Sequence, residues 1–190
     1  MDFTKAVTKG KLLADQYSHV IDEVVKQYDE RMGQDIVHGT RHWTNVFTNA
    51  YHIIENSPEV HNQLEEYLLG AFLFALFHDS KRKDEGLDLL HGYKGGAYFL
   101  EMVIKHNIEI SPTIQTKIYR AITNHSTEIK SGISIISVCY DADRFDLFRV
   151  GKIPKIQYFS TPYCVNNFSN IIWNYKNKSS IETRVTDVFR

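Results

Sequence analysis

Six side chains in this sequence combine metal-binding chemistry with suitable placement: His42, the doublet His78-Asp79, His91, His125 and Asp143. Each falls near the end of a helix that the sequence predicts, or beside an apolar run. Imidazole plus carboxylate is a borderline-to-hard donor set. It suits Fe, Mn, Co, Ni or Zn better than a thiolate-preferring metal. The doublet carries most of the weight. It closes the run Leu68 to Phe77, LLGAFLFALF, which is apolar or small throughout, and a helix that is apolar all round belongs inside a protein. A carboxylate and an imidazole at the end of a buried helix are costly unless something pairs with them. A divalent cation is the partner their chemistry favours.

The elements that must position these residues are all helical. Leu12, Leu13, Tyr17, Val20, Ile21, Val24, Val25 and Tyr28 recur at spacings of three and four, an amphipathic helix stopped at Gly33. Gly39-Thr40 reads as a helix start, with His42 in the first turn and Trp43, Val46, Phe47, Ala50, Tyr51 and Ile54 facing inward. Ser57-Pro58-Glu59 is a second start, for a helix running to His78-Asp79. A polar loop, Ser80 to Leu90, carries Lys81, Arg82 and Lys83, either as a solvated surface or in contact with phosphate. His91-Gly92 opens a helix with Ala97, Leu100, Val103 and Ile104 inward, and Ser111-Pro112 opens another that ends near His125. The β-branched run ISIISV after Gly132 could form a strand. With no partner strand in view it reads as a buried helix, ended by Gly151 and Pro154. A last helix covers Val165 to Tyr175, and the tail from Lys176 reads as polar and partly mobile. About seven helices in one all-α bundle result. A single domain spans 1–190, with its motif-bearing core at about 35–154 and the helices in 1–33 and 165–175 as additions.

Composition agrees with an ordinary globular chain: 190 residues, 43% hydrophobic and 24% charged. The net charge of −1 does not call for nucleic acid or an acidic membrane as partner. The longest apolar run is about half the roughly 20 residues that a bilayer crossing needs. No secretory signal is read at the N-terminus. Cys139 and Cys164 form neither a disulfide framework nor a zinc spacing, so reduced thiols and a cytoplasmic location are expected.

The order His…His-Asp…His…His…Asp resembles the HD-domain superfamily of metal-dependent phosphohydrolases. His42-Trp43-Thr44-Asn45-Val46 is similar to that family's first-histidine helix, and Phe74-Ala75-Leu76-Phe77-His78-Asp79 to its doublet helix. His91-Gly92-Tyr93-Lys94-Gly95-Gly96-Ala97 is similar to its third-histidine segment, and Asp141-Ala142-Asp143-Arg144-Phe145-Asp146-Leu147 to its final acidic motif. The resemblance covers about Asp35 to Pro154 and extends to a group of bacterial HD proteins of unassigned substrate. It implies an HD-type bundle in which His42, His78, Asp79 and Asp143 hold a first metal. His91 and His125 would hold a second, with Asp79 bridging, or contact substrate in a one-metal site. Many family members have a glycine and then a lysine after the doublet, where this chain has Ser80-Lys81-Arg82.

A metal-dependent phosphohydrolase is therefore expected, cleaving a small phosphate ester such as that of a nucleotide. It would use water whose pKa the metal lowers from about 15.7 toward 7, with Asp79, His91 and His125 closest to the chemistry. Lys81, Arg82, Lys94 and Arg144 are candidates to neutralise phosphate, and His38 is a candidate pocket residue one turn before His42. The alternatives are a di-iron oxygenase of HD-like fold, which needs the same ligands, and a non-catalytic metal- or nucleotide-binding module. Asp141 and Asp146 read as supporting residues, and Trp43 and Tyr140 as core. His106 lies about 22 Å from His91 along a continuous helix, too far to share a metal. His19, His52 and His61 read as surface or packing residues.

Overall fold

The computed structural model describes residues 3–33, 37–132, 134–178 and 187–190. Among them are eight α-helices: α1 (Phe3–Gln16), α2 (Ser18–Met32), α3 (Thr40–Glu55), α4 (Leu64–Phe77), α5 (His91–Lys105), α6 (Pro112–Asn124), α7 (Ser134–Phe145) and α8 (Pro162–Lys178). Short 3-10 turns cover Pro58–Gln63, Asp146–Val150 and Ile156–Tyr158. The all-α class expected from the sequence holds, as one packed bundle.

α4 is the axis of the bundle because, beyond its exposed first turn at Leu64-Glu65-Glu66, it offers no polar face to water. Ala71 through Phe77 are fully buried, and α1, α2, α3, α5, α6 and α7 all pack against this helix. α3 lies between α4 and α7, and α6 touches α4, α5 and α7. The inner ends of α3, α4, α5, α6 and α7 thus meet in one region, where His42, His78-Asp79, His91, His125 and Asp143 lie.

Several boundaries differ from the sequence reading. The stripe from Leu12 to Tyr28 forms two helices, which accounts for eight where seven were expected. The break is at Tyr17, whose backbone turns to φ −112°, ψ 25° while its N–H still reaches Leu13 O at 3.0 Å. Hydrogen bonding nearly runs through the bend, so the apolar periodicity survives it. Ser57-Pro58 starts a 3-10 turn, and the α-helix begins only at Leu64. Ser111 caps α6 as expected, accepting from Ile114 N–H.

On α5, Ala97 and Ile104 are exposed, contrary to the reading, and the buried face is Gly95, Tyr98, Phe99, Met102 and Val103. Glycine is the reason. A Cβ at Gly95 would lie 2.7 Å from Phe77 O, and one at Gly92 2.7 Å from Thr123 O. α5 therefore packs backbone to backbone on the ends of α4 and α6, which turns its larger apolar residues to neighbouring positions.

The run after Gly132 is helical, as preferred, and α7 buries Ile135, Ile136 and Val138. It stops at Phe145, ahead of the expected end, and tightens into a 3-10 turn closed by Gly151 at φ 71°. The tail was expected to be partly mobile from Lys176. Residues 179–186 lie outside the described residues, but 187–190 are packed, with Val188 and Phe189 in the core. Both cysteines are buried free thiols. No helix among the described residues is long and apolar enough to cross a membrane.

Candidate metal centre

His42 enters the centre from the first turn of α3, His78 and Asp79 from the end of α4, His91 from the first residue of α5, His125 from the end of α6, and Asp143 from α7. Two clusters result, His42–His78–Asp143 and Asp79–His91–His125, each with its ligand atoms within 4.8 Å of one another.

Asp79 joins the two. Its Oδ2 lies 3.6 Å from both His42 Nε2 and His78 Nε2. Its Oδ1 lies 3.2 Å from His91 Nε2 and 3.5 Å from His125 Nε2. Asp143 Oδ1 completes the first cluster, 3.4 Å from His42 Nε2 and 3.9 Å from His78 Nε2. Asp79 is 3% exposed, and its Oδ1 has no hydrogen-bond donor among the described residues. The Arg82 guanidinium stays 3.7 Å from that oxygen, which leaves it to a closer cation.

The imidazoles make the same case. His42 Nδ1 donates to Asp146 Oδ2 at 2.7 Å, and His78 Nδ1 faces Ala75 O at 3.0 Å and Phe74 O at 3.1 Å. His91 Nδ1 donates to Asp88 O, and His125 Nδ1 to Ile122 O at 2.8 Å. Each outer nitrogen thus has an acceptor, which fixes the tautomer and turns the Nε2 lone pair inward. Two such nitrogens meet at 3.0 Å in each cluster, His42 with His78 and His91 with His125. Lone pairs facing at that distance repel unless a proton or a metal ion lies between them.

Electrostatics points the same way. Burial works against charge on His42, but hydrogen bonds to Asp143 and Asp146 outweigh it and raise its pKa to about 9. His78 is driven down to about 3 by burial. Burial also opposes charge on His125, and Asp79 outweighs it and raises the pKa. The carboxyls of Asp79 and Asp143 are held below the usual range despite burial, by His78 and by His42 respectively. Each carboxylate is therefore ionised and draws positive charge into its cluster, either a proton on His42 or His125 or a metal ion in its place.

Supporting residues complete the site. Asp146 is fixed by Asn45 Nδ2 at 2.9 Å and by Arg149 at 3.4 Å. Asp88 binds the N–H groups of Lys83 and Leu90 and so shapes the turn into α5. Arg31 of α2 donates to the carbonyls of Ser80 and, at 2.7 Å, Arg82, strapping down the chain after Asp79. Asp141 is structural, as expected: it accepts from Ser160 and Thr161 ahead of α8. Arg31 and the carbonyl role of Asp88 were missed in the sequence, since a cation at a helix end and an acid in a loop carry no spacing signal. Asp146 supports the site as read; Asn45, like Asp146, stands three residues after a ligand on the same helical face, and that spacing could have found it too.

The cations divide. Arg82 is buried beside the centre, its Nη1 3.7 Å from Asp79 Oδ1 and its Nε without a hydrogen-bond partner among the described residues. Lys81 turns elsewhere: it donates to Gln27 at 2.7 Å and sits 3.3 Å over the Tyr98 ring. Its ammonium is thus not brought to the centre as the sequence reading expected. Arg144 is tied to the carbonyls of Tyr158 and Glu128. Lys94 lies half-exposed one turn beyond His91, 3.9 Å from Asp88. His38 stands edge-on to His42, ring centres 6.1 Å apart, and bonds Glu85. A cavity of about 210 Å³ opens beside His125, walled by Arg144, Leu147, Pro154 and Tyr158. Trp43 and Tyr140 are core residues, as read.

No family model matches this chain, and no curated protein or solved structure matches it either.

Proposed function

We propose that this chain is a two-metal phosphohydrolase of HD type, acting on a small phosphate ester such as a nucleotide. One observation carries the reading: the two oxygens of Asp79 face two separate histidine clusters whose outer nitrogens are all engaged. Such a set fits two borderline transition-metal ions such as Fe, Mn, Co, Ni or Zn. Divalent ions bound there would supply Lewis acidity and water acidified to hydroxide near neutral pH.

The chain's own residues would do the rest. His42, His78 and Asp143 would hold one ion and His91 and His125 the other, with Asp79 available to both. Asp143, with a side chain 20% exposed, stands on the open side, where a phosphoryl group has room to approach. Arg82 is the cation nearest the centre. It anchors Asp79 and can offer its remaining donor to a phosphoryl oxygen, as a guanidinium does well. The cavity beside His125 receives the organic part of the ester.

The test is phosphate release from p-nitrophenyl phosphate and from a panel of nucleotides, by protein loaded with each metal in turn. Asp79→Asn is expected to abolish turnover and metal uptake together. Oxygen consumption by the iron-loaded protein without phosphate release would replace hydrolysis with oxidative chemistry.

A further inference from the structure

The four residues Asp187-Val188-Phe189-Arg190 lie in a groove formed by α1, α2, α3 and α4. Asp187 accepts the hydroxyls of Thr40 at 2.7 Å and Thr44 at 2.8 Å, one on each carboxylate oxygen. Thr44 Oγ1 in turn accepts the N–H of Val188 at 2.9 Å. Phe189 is 2% exposed and packs on Trp43 and Phe72, with ring centres 6.1 and 5.1 Å away. Val188 fills the space left by Gly10, where a Cβ would sit 2.9 Å from its Cγ1. Arg190 reaches both oxygens of Asp29 at 2.9 Å.

What this segment holds is the first turn of α3. That helix starts after Gly39 with no side-chain cap among the described residues, and an uncapped first turn is the part of a helix that opens most readily. Thr40 and Thr44 lie one turn apart on one face, and His42 sits between them in sequence. A carboxylate at a helix N-terminus is also favoured by the helix dipole. Asp146 orients the His42 ring from one side. The backbone that carries the ring is fixed from the other side by Asp187, with Phe189 locking Trp43 beside it.

We infer that residues 187–190 are a clasp that positions His42 for the first ion. Asp187 is its positioning residue. The inference rests on the metal-centre reading above. Among the described residues, His91 on α5 and His125 at the end of α6 make no contact with the clasp, so its loss acts on one cluster only.

The test uses the full chain with Asp187→Ala, which removes both acceptors, with Thr44→Val, which removes one hydroxyl with little change of shape, and with Thr44→Ser, which restores it. Two readouts are taken: Zn²⁺ affinity by competition with a chromophoric chelator, resolving both ions, and ¹⁵N signals of the histidine rings. Loss of the clasp is expected to weaken the first ion about tenfold, the low end for residues that orient a ligand from outside. The second ion is unchanged, and Thr44→Ser binds like wild type. The ring signals of His42 move while those of His91 and His125 stay in place. Unchanged affinities with unmoved His42 signals would overturn the clasp, as would an equal loss at both sites. If the wild type takes up no Zn²⁺, the metal-centre reading fails. The His42 signals of Asp187→Ala then decide the clasp alone: displaced supports it, unmoved overturns it.

Discussion

Gly95→Ala tests how α5 delivers His91. The added Cβ would lie 2.7 Å from Phe77 O and 3.3 Å from both His78 O and Ile122 Cγ2. The first of these is about 0.7 Å short of the 3.4 Å where ordinary contact begins. Phe77 O cannot yield easily, because it also accepts the Ser80 hydroxyl at 2.8 Å. The helix must therefore shift, and His91 stands one turn away on that helix. Metal sites tolerate about 0.2 Å in ligand distance, so a shift of this size takes His91 out of reach of a shared ion. Overpacking of this kind costs about 1–3 kcal/mol. For a chain of this length that lowers the melting temperature by roughly 2–12 °C. Thermal unfolding and a two-ion Zn²⁺ titration would be measured together. The second ion is expected to weaken about 10–100-fold, while the first is held. A wild-type melting temperature with both affinities intact would refute the claim that this backbone contact sets His91.

Other substitutions probe the remaining supports. Asp146→Ala removes the acceptor for His42 Nδ1 and should weaken the first ion about 10–100-fold, seen by isothermal titration. Phe74→Ala deletes a fully buried ring stacked on His78 at 4.9 Å and should cost about 3–5 kcal/mol of stability, read from denaturant unfolding. Metal uptake should also release a proton. With its pKa raised to about 9, His42 is protonated at neutral pH and must lose that proton to become a ligand. Affinity for the first ion is therefore expected to rise with pH and level off above about 9. Titration calorimetry in buffers of different ionisation heat counts the protons, and a count of zero would refute the assignment.

Much of the centre is legible in the sequence because its ligands sit at helix ends, where caps, prolines and apolar runs leave strong marks. Ser111-Pro112 placed α6 and so His125, and the apolar run to Phe77 placed the doublet. What escaped has physical reasons. The Tyr17 bend keeps the apolar stripe in phase, so periodicity cannot see it. The close approach of α5 rests on Gly92 and Gly95, residues without a side chain to register in an apolar pattern; Ala97 and Ile104 were accordingly misplaced. Lys81 faces Tyr98 and Gln27 rather than the centre, a choice made by tertiary neighbours. The docking of 187–190 depends on Thr40 and Thr44, more than 140 residues away in the chain.

The most direct test of the central claim is metal content by mass spectrometry on protein purified without added metal or chelator. Wild type is compared with Asp79→Ala and with the double variant His91→Ala/His125→Ala. Two ions per chain are expected for wild type, one for the double variant, and neither for Asp79→Ala, because a single carboxylate serves both clusters. A folded wild-type chain without metal, or an Asp79→Ala variant that keeps its ions, would contradict the account.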